Sequence, residues 1–176
     1  MSFVAVFGIT VLGVGGSLLQ THRKAAALSR LSWDDLLGKL KPVGADGINT
    51  IALDYLQPGK GQTRIETDEL WELIGGFEGI RRIRANADVL LALAGFAQRW
   101  NPAESVIVAE RMRRDGIALR RAALKLLVSL PLGFGKTLGP FNVQQAASSY
   151  YLMRQRLLAL YETSHAGRYP ELAAIL

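Results

Sequence analysis

A chain of 176 residues that is 49% apolar has enough material for one buried core and is too hydrophobic for a disordered tail. It contains no cysteine, which removes disulfides, thiolate metal sites and cysteine nucleophiles together. Lysine and arginine outnumber aspartate and glutamate by 21 to 15, and this net charge of +6 admits anionic lipid or nucleic acid as partners.

Residues 2–19, SFVAVFGITVLGVGGSLL, carry no charged side chain. An apolar helix needs at least about 17 residues to cross a bilayer core of about 30 Å. This stretch, at about 1.5 Å per residue, covers roughly 27 Å. We read residues 1–21 as a transmembrane anchor. Its glycines weaken a helix in water but are common in membrane helices. Gly13 and Ser17 form a small-xxx-small pair, the candidate contact for a second membrane helix and hence for a homo-oligomer.

Three other readings compete. A secretory signal peptide places charge before its apolar run, whereas here the basic cluster follows it. Gly13-Val14-Gly15-Gly16 opens like a dinucleotide fingerprint, but the third glycine would fall on Leu18. That motif also needs further βαβ units, which the chain does not offer. The third alternative is a buried helix of a soluble fold.

Residues 22–31 form a basic juxtamembrane stalk, with Arg23, Lys24 and Arg30 as candidate lipid contacts. Basic residues close to a span are retained on the cytoplasmic side. The remaining domain, residues 32–176, is therefore expected in the cytoplasm, against the anionic inner leaflet.

That domain reads as helices throughout. Ser32-Trp33-Asp34-Asp35 predicts a helix cap followed by early acids, with the helix running to about Lys41 before Pro42. Trp33 belongs either at the headgroup level or in the core. Asp46 is the next expected cap, with Ile48, Ile51, Ala52 and Tyr55 on one face, and Pro58 closes that helix. Thr67 is expected to cap Asp68 to Ile74, closed by Gly75-Gly76. Asp68, Glu69 and Glu72 are ordinary acids near a helix start rather than a catalytic cluster.

Phe77 to Trp100 is the most hydrophobic helix of the domain. Ile80, Ile83, Ala87, Leu90, Ala94 and Ala97 form one stripe, and Val89, Leu93, Phe96 and Trp100 a second. It is expected to be central and buried. Asn101 and Pro102 open the next helix, which runs to about Leu130 with Val108, Met112, Leu119, Ala123, Leu126 and Leu130 inward. Residues 131–140, PLGFGKTLGP, read as a loop. Gly135-Lys136-Thr137 there resembles a phosphate loop, but the first glycine of that motif would be needed where Leu130 stands. The last long helix is expected from Asn142 to Thr163, with Val143, Ala146, Tyr150, Met153, Leu157 and Leu160 forming its seam. Gly167 breaks the chain, and Pro170 opens a final turn.

Charge is segregated. Residues 32–80 hold nine acids against four bases, and residues 81–136 hold eleven bases against four acids. Arg113, Arg114, Arg120, Arg121 and Lys125 are the candidate contacts for lipid or another polyanion. His22 and His165 are the only histidines, far apart in sequence, so no metal site, cofactor site or catalytic residue is assigned.

The expectation is an all-α protein: a single transmembrane helix followed by a compact bundle of about four to six helices. Its expected role is a membrane-tethered interaction or scaffold module without enzymatic activity, partnered by lipid and by a protein or a second copy. The alternative is a basic helical nucleic-acid-binding protein, weakened by the lack of aromatics among the arginines.

Overall fold

A computed structural model describes residues 26–58, 65–98, 102–129, 135–164 and 167–176. Among the described residues every regular element is helical. They are α1 (Trp33–Leu37), α2 (Ala45–Leu56), α3 (Thr67–Leu73), α4 (Gly76–Ala97), α5 (Pro102–Ser129), α6 (Gly135–Ser164) and α7 (Tyr169–Ile175). The all-α class is as expected; seven helices have both ends among the described residues, and residues 26–28 ahead of them are also helical. The anchor of residues 1–21, with Gly13 and Ser17, and Arg23 and Lys24 of the stalk lie outside the described residues. No helix among the described residues is long and apolar enough to cross a membrane.

Ser32 caps α1 as its sequence demands. Its Oγ accepts the Asp35 N–H at 3.2 Å, and Asp35 Oδ2 accepts the Ser32 N–H at 3.4 Å, closing a capping box. The Ser32 hydroxyl also donates to Asp35 Oδ2 at 2.6 Å, and this bond, followed by that from the Ser32 N–H, holds the Asp35 carboxyl below its ordinary range. The helix stops at Leu37 rather than near Lys41, because Gly38 and single turns at Lys39 and Leu40 take over. Two further expected caps are displaced. Gly44 precedes α2 and Glu66 precedes α3, neither with a side-chain cap, so Asp46 and Thr67 fall inside the first turns. Tyr55 leaves the α2 core face: it is exposed and meets Phe141 edge-on, ring centroids 6.2 Å apart.

The α3–α4 reversal is made by two glycines in the left-handed region, Gly75 at φ 77° and Gly76 at φ 60°. Gly47 on α2 lies against the Leu73 backbone, and Gly79 lies against the Ile74 carbonyl, where a Cβ has no room.

On α4 the first stripe, from Ile80 to Ala97, is wholly buried, and so are Val89 and Leu93 of the second. Burying each such Leu or Ile side chain stabilises by about 1.5–3 kcal/mol. Trp100, Asn101 and Leu130 lie outside the described residues. Centrality is shared with α6, which packs against α2, α3, α4, α5 and α7. All six seam residues of α6, from Val143 to Leu160, are buried.

The expected loop at 131–140 is corrected in its second half, since α6 begins at Gly135 and runs through Pro140. Proline there removes one donor from the helix ladder and normally marks a break. The chain nevertheless continues as helix, and Gly139 is buried beside Trp71, where a Cβ would stand in ordinary contact 3.5 Å from the indole Nε1. Gly139 lies inside the helix, not in a turn.

Trp33 settles in the core. Its ring lies 4.7 Å from Tyr161 and 5.9 Å from Phe96, centroid to centroid, and Arg168 covers it at 5.0 Å. Its Nε1–H donates to Glu171 of α7 at 3.4 Å.

Candidate functional site

Helix α5 has two unlike faces. Ala109, Met112, Leu119, Ala122, Ala123 and Leu126 are buried. On the other side Val106 is 55% exposed, Leu124 54% and Val128 54%, with Ile117 also exposed. At about 100° per residue these four fall within about 40° of one another on one outward face, which the exposed Glu110 and Arg113 interrupt between Val106 and Ile117. A helix of 28 residues is roughly 42 Å long, and three of the four lie in its second half.

The expected cations lie on or beside this face. Arg113 and Arg114 both reach Glu110, at 2.8 Å and 3.5 Å, and keep most of their side chains in solvent. Two guanidinium groups share one carboxylate, so positive charge is left over. Arg121 and Lys125 are exposed beside Leu124. Arg120 is placed differently: it turns toward α4 and pairs with Asp88, about a third exposed. Arg30 is exposed on the segment before α1. Four of the five expected α5 cations therefore share one outward surface, and the fifth is tied to a neighbouring helix.

Composition alone draws attention to the arginines. The apolar face among them is the part missed, although the spacing 106, 117, 124, 128 carries it.

A groove of about 610 Å³ opens beside the same helix. One wall is α4, through Leu91, Ala92, Gly95 and Phe96; the second is α5, through Ala109 and Ile117. Leu28, Leu31 and Leu36 close the third side. Since Asp88 pairs with Arg120 and Leu91 approaches Gly116, α4 and α5 run antiparallel along it. The Asp88–Arg120 pair lies at one end, and Arg113 contributes to the lining from α5. Gly95 is exposed to the groove, and a Cβ there would meet nothing within 4 Å.

Elsewhere on α5, Asp115 faces inward and pairs with Arg156 of α6. Burial, with Arg111 nearby, pushes the Arg156 guanidinium below its usual range. This pair locks the two longest helices together and is spent on structure.

Among the described residues no group of three or more His, Asp or Glu side chains is arranged to hold a metal ion. Asp68 and Glu69 occupy the first turn of α3, as acids at a helix start do. The Gly135-Lys136-Thr137 stretch is the first turn of α6, not a loop after a strand. What the surface offers is binding chemistry: an apolar face interrupted and bordered by charge, and an apolar groove with guanidinium groups at its edge. No protein family, curated protein or solved structure matches the chain.

Proposed function

We propose that this chain is a membrane-tethered helical interaction module whose domain lies on an anionic lipid surface through α5. The observation that carries the reading is the outward face of α5, with Val106, Ile117, Leu124 and Val128 between Arg113, Arg114, Arg121 and Lys125. Helices of this design rest in the bilayer interface, with apolar side chains among the acyl chains and cations at the headgroups. Each suitably placed cation contributes up to about 1 kcal/mol on an anionic leaflet. Residues 2–19 act as the span, and Arg23, Lys24 and Arg30 hold the domain at the cytoplasmic leaflet. Gly13 and Ser17 are the contact for pairing within the membrane.

Two competitors are disfavoured on physical grounds. A symmetric dimer through α5 would set like charges opposite each other. A nucleic-acid backbone would neutralise the arginines but leave four exposed apolar side chains without a partner.

The chain has no cysteine, so Leu124→Cys gives a unique labelling site in the full-length protein. A nitroxide placed there should become lipid-immersed in nanodiscs containing anionic lipid and leave again at high salt. A label that stays in water in both anionic and zwitterionic discs would refute the docking. Protection by duplex DNA instead of lipid would transfer the surface to the nucleic-acid reading. A cytoplasm-active reporter fused after Leu176 tests the topology: signal only from a translocated reporter reverses it.

A further inference from the structure

We propose that the groove between α4, α5 and the segment carrying Leu28 and Leu31 binds a single-chain anionic amphiphile: one acyl chain ending in a carboxylate or a phosphate. The groove shares Arg113 and Ile117 with the outward face of α5, but most of its other lining residues belong to α4 and to the segment before α2, so its occupancy is tested separately from the docking of that face.

Shape comes first. A volume of about 610 Å³ lies within the range of small-molecule sites, roughly 300–1,000 Å³. The trough follows α4 from Asp88 to Gln98, which at about 1.5 Å per residue is roughly 15 Å of helix. An extended chain suits such a trough better than a compact ring system.

Gly95 is the second observation. It sits inside α4, where glycine costs about 0.5–1 kcal/mol relative to alanine. Its φ lies outside the left-handed region, unlike Gly75 and Gly76, and no atom would obstruct a side chain. Neither backbone geometry nor close packing among the described residues requires a glycine. Its effect is to keep the trough open beside Phe96 and Leu91.

Charge selects the head. Arg120 and Asp88 balance each other at one end. On the α5 side, Arg113 and Arg114 share Glu110, so the margin is net positive. A guanidinium whose donors are mostly directed to solvent is suited to a carboxylate or phosphate. A cationic head is repelled there, and a neutral one forms only the weaker, uncharged-acceptor hydrogen bond.

The test uses the full chain carrying Gly95→Cys, its only thiol, in zwitterionic nanodiscs. Alkylation of that thiol by a maleimide is timed with and without laurate, dodecyl phosphate or dodecyltrimethylammonium. Laurate and dodecyl phosphate should each slow alkylation saturably, while the cationic amphiphile leaves it unchanged. Stronger protection by the phosphate would mark a lipid-derived head, and stronger protection by laurate a free fatty acid. Adding Arg113→Glu should raise the laurate concentration needed by about tenfold or more, the loss of one charge-assisted hydrogen bond. Leu124→Asp should abolish lipid immersion of α5 and leave this protection intact, so the two readings fail separately. Equal protection by the cationic amphiphile, or none by either anion, overturns the proposal. A thiol that is unreactive before any amphiphile is added also overturns it, because the chain's own residues then fill the groove.

Discussion

Asn86 on α4 donates through Nδ2 to the Tyr150 hydroxyl on α6 at 3.1 Å, and both side chains are buried. The same amide donates to the Lys41 carbonyl at 2.8 Å and accepts the Lys41 N–H at 2.9 Å. One polar side chain thus fastens the irregular stretch between α1 and α2 to the central helix pair. Asn86→Ala should cost about 3 kcal/mol, because it strands backbone groups that water cannot fully reach. For a chain of this size that lowers Tm by about 6–12 °C. Tyr150→Phe, which removes one of these bonds, should cost about 1 kcal/mol. Equal melting shifts for the two variants would contradict this ordering.

Leu90 lies at the middle of the buried α4 stripe. Leu90→Ala should destabilise by about 2–5 kcal/mol through lost burial and a residual cavity. Leu90→Asp should abolish the cooperative melt, since an unpaired buried charge costs several kcal/mol, comparable to the 5–15 kcal/mol margin of a whole domain. Circular dichroism melts of both variants check this, and an unchanged transition for the aspartate variant would remove α4 from the core.

Three glycines should respond to alanine in two ways. Gly47→Ala and Gly79→Ala drive a methyl group into backbone carbonyls, so elements must move apart and stability falls. Gly95→Ala meets open space and should stabilise by about 0.5–1 kcal/mol. Denaturant midpoints measured side by side decide the matter. A gain at Gly79 or a loss at Gly95 would show that the close approaches are misplaced.

Alkaline pH should act through two tyrosines. Burial pushes the Tyr150 and Tyr161 hydroxyls above the usual tyrosine range, and the Tyr161 hydroxyl donates to the Leu93 carbonyl at 2.9 Å. The unfolded chain releases these protons first, near pH 10. Their contribution is complete below that pH and is lost as pH rises through the higher folded values. Tyrosinate absorbance followed together with helicity should show two of the five tyrosines ionising only as the helices melt. Full ionisation of all five with helicity intact would sink this.

The α4 and α6 stripes were readable because long helices repeat their apolar positions often enough to override local noise. The Ser32 cap was readable because its hydroxyl and Asp35 satisfy each other within four residues. Asp46 and Thr67 carry the same side-chain chemistry, yet α2 starts two residues and α3 one residue earlier than those caps imply. Pro140 and Gly139 look like breakers from composition, yet both lie inside α6. The basic half of the site was visible as charge. Its groove was not, because Leu28, Leu91 and Ile117 are far apart in sequence and meet only through the antiparallel α4–α5 pair.

The indole of Trp33 is enclosed by residues more than sixty positions downstream, and its hydrogen bond reaches Glu171, 138 residues away. During synthesis this corner of the core stays open until the α7 segment has cleared the ribosome. A nascent chain stalled before Arg168 would display that ring to chaperones and proteases. Completion of α7 is therefore the step that closes this corner of the core.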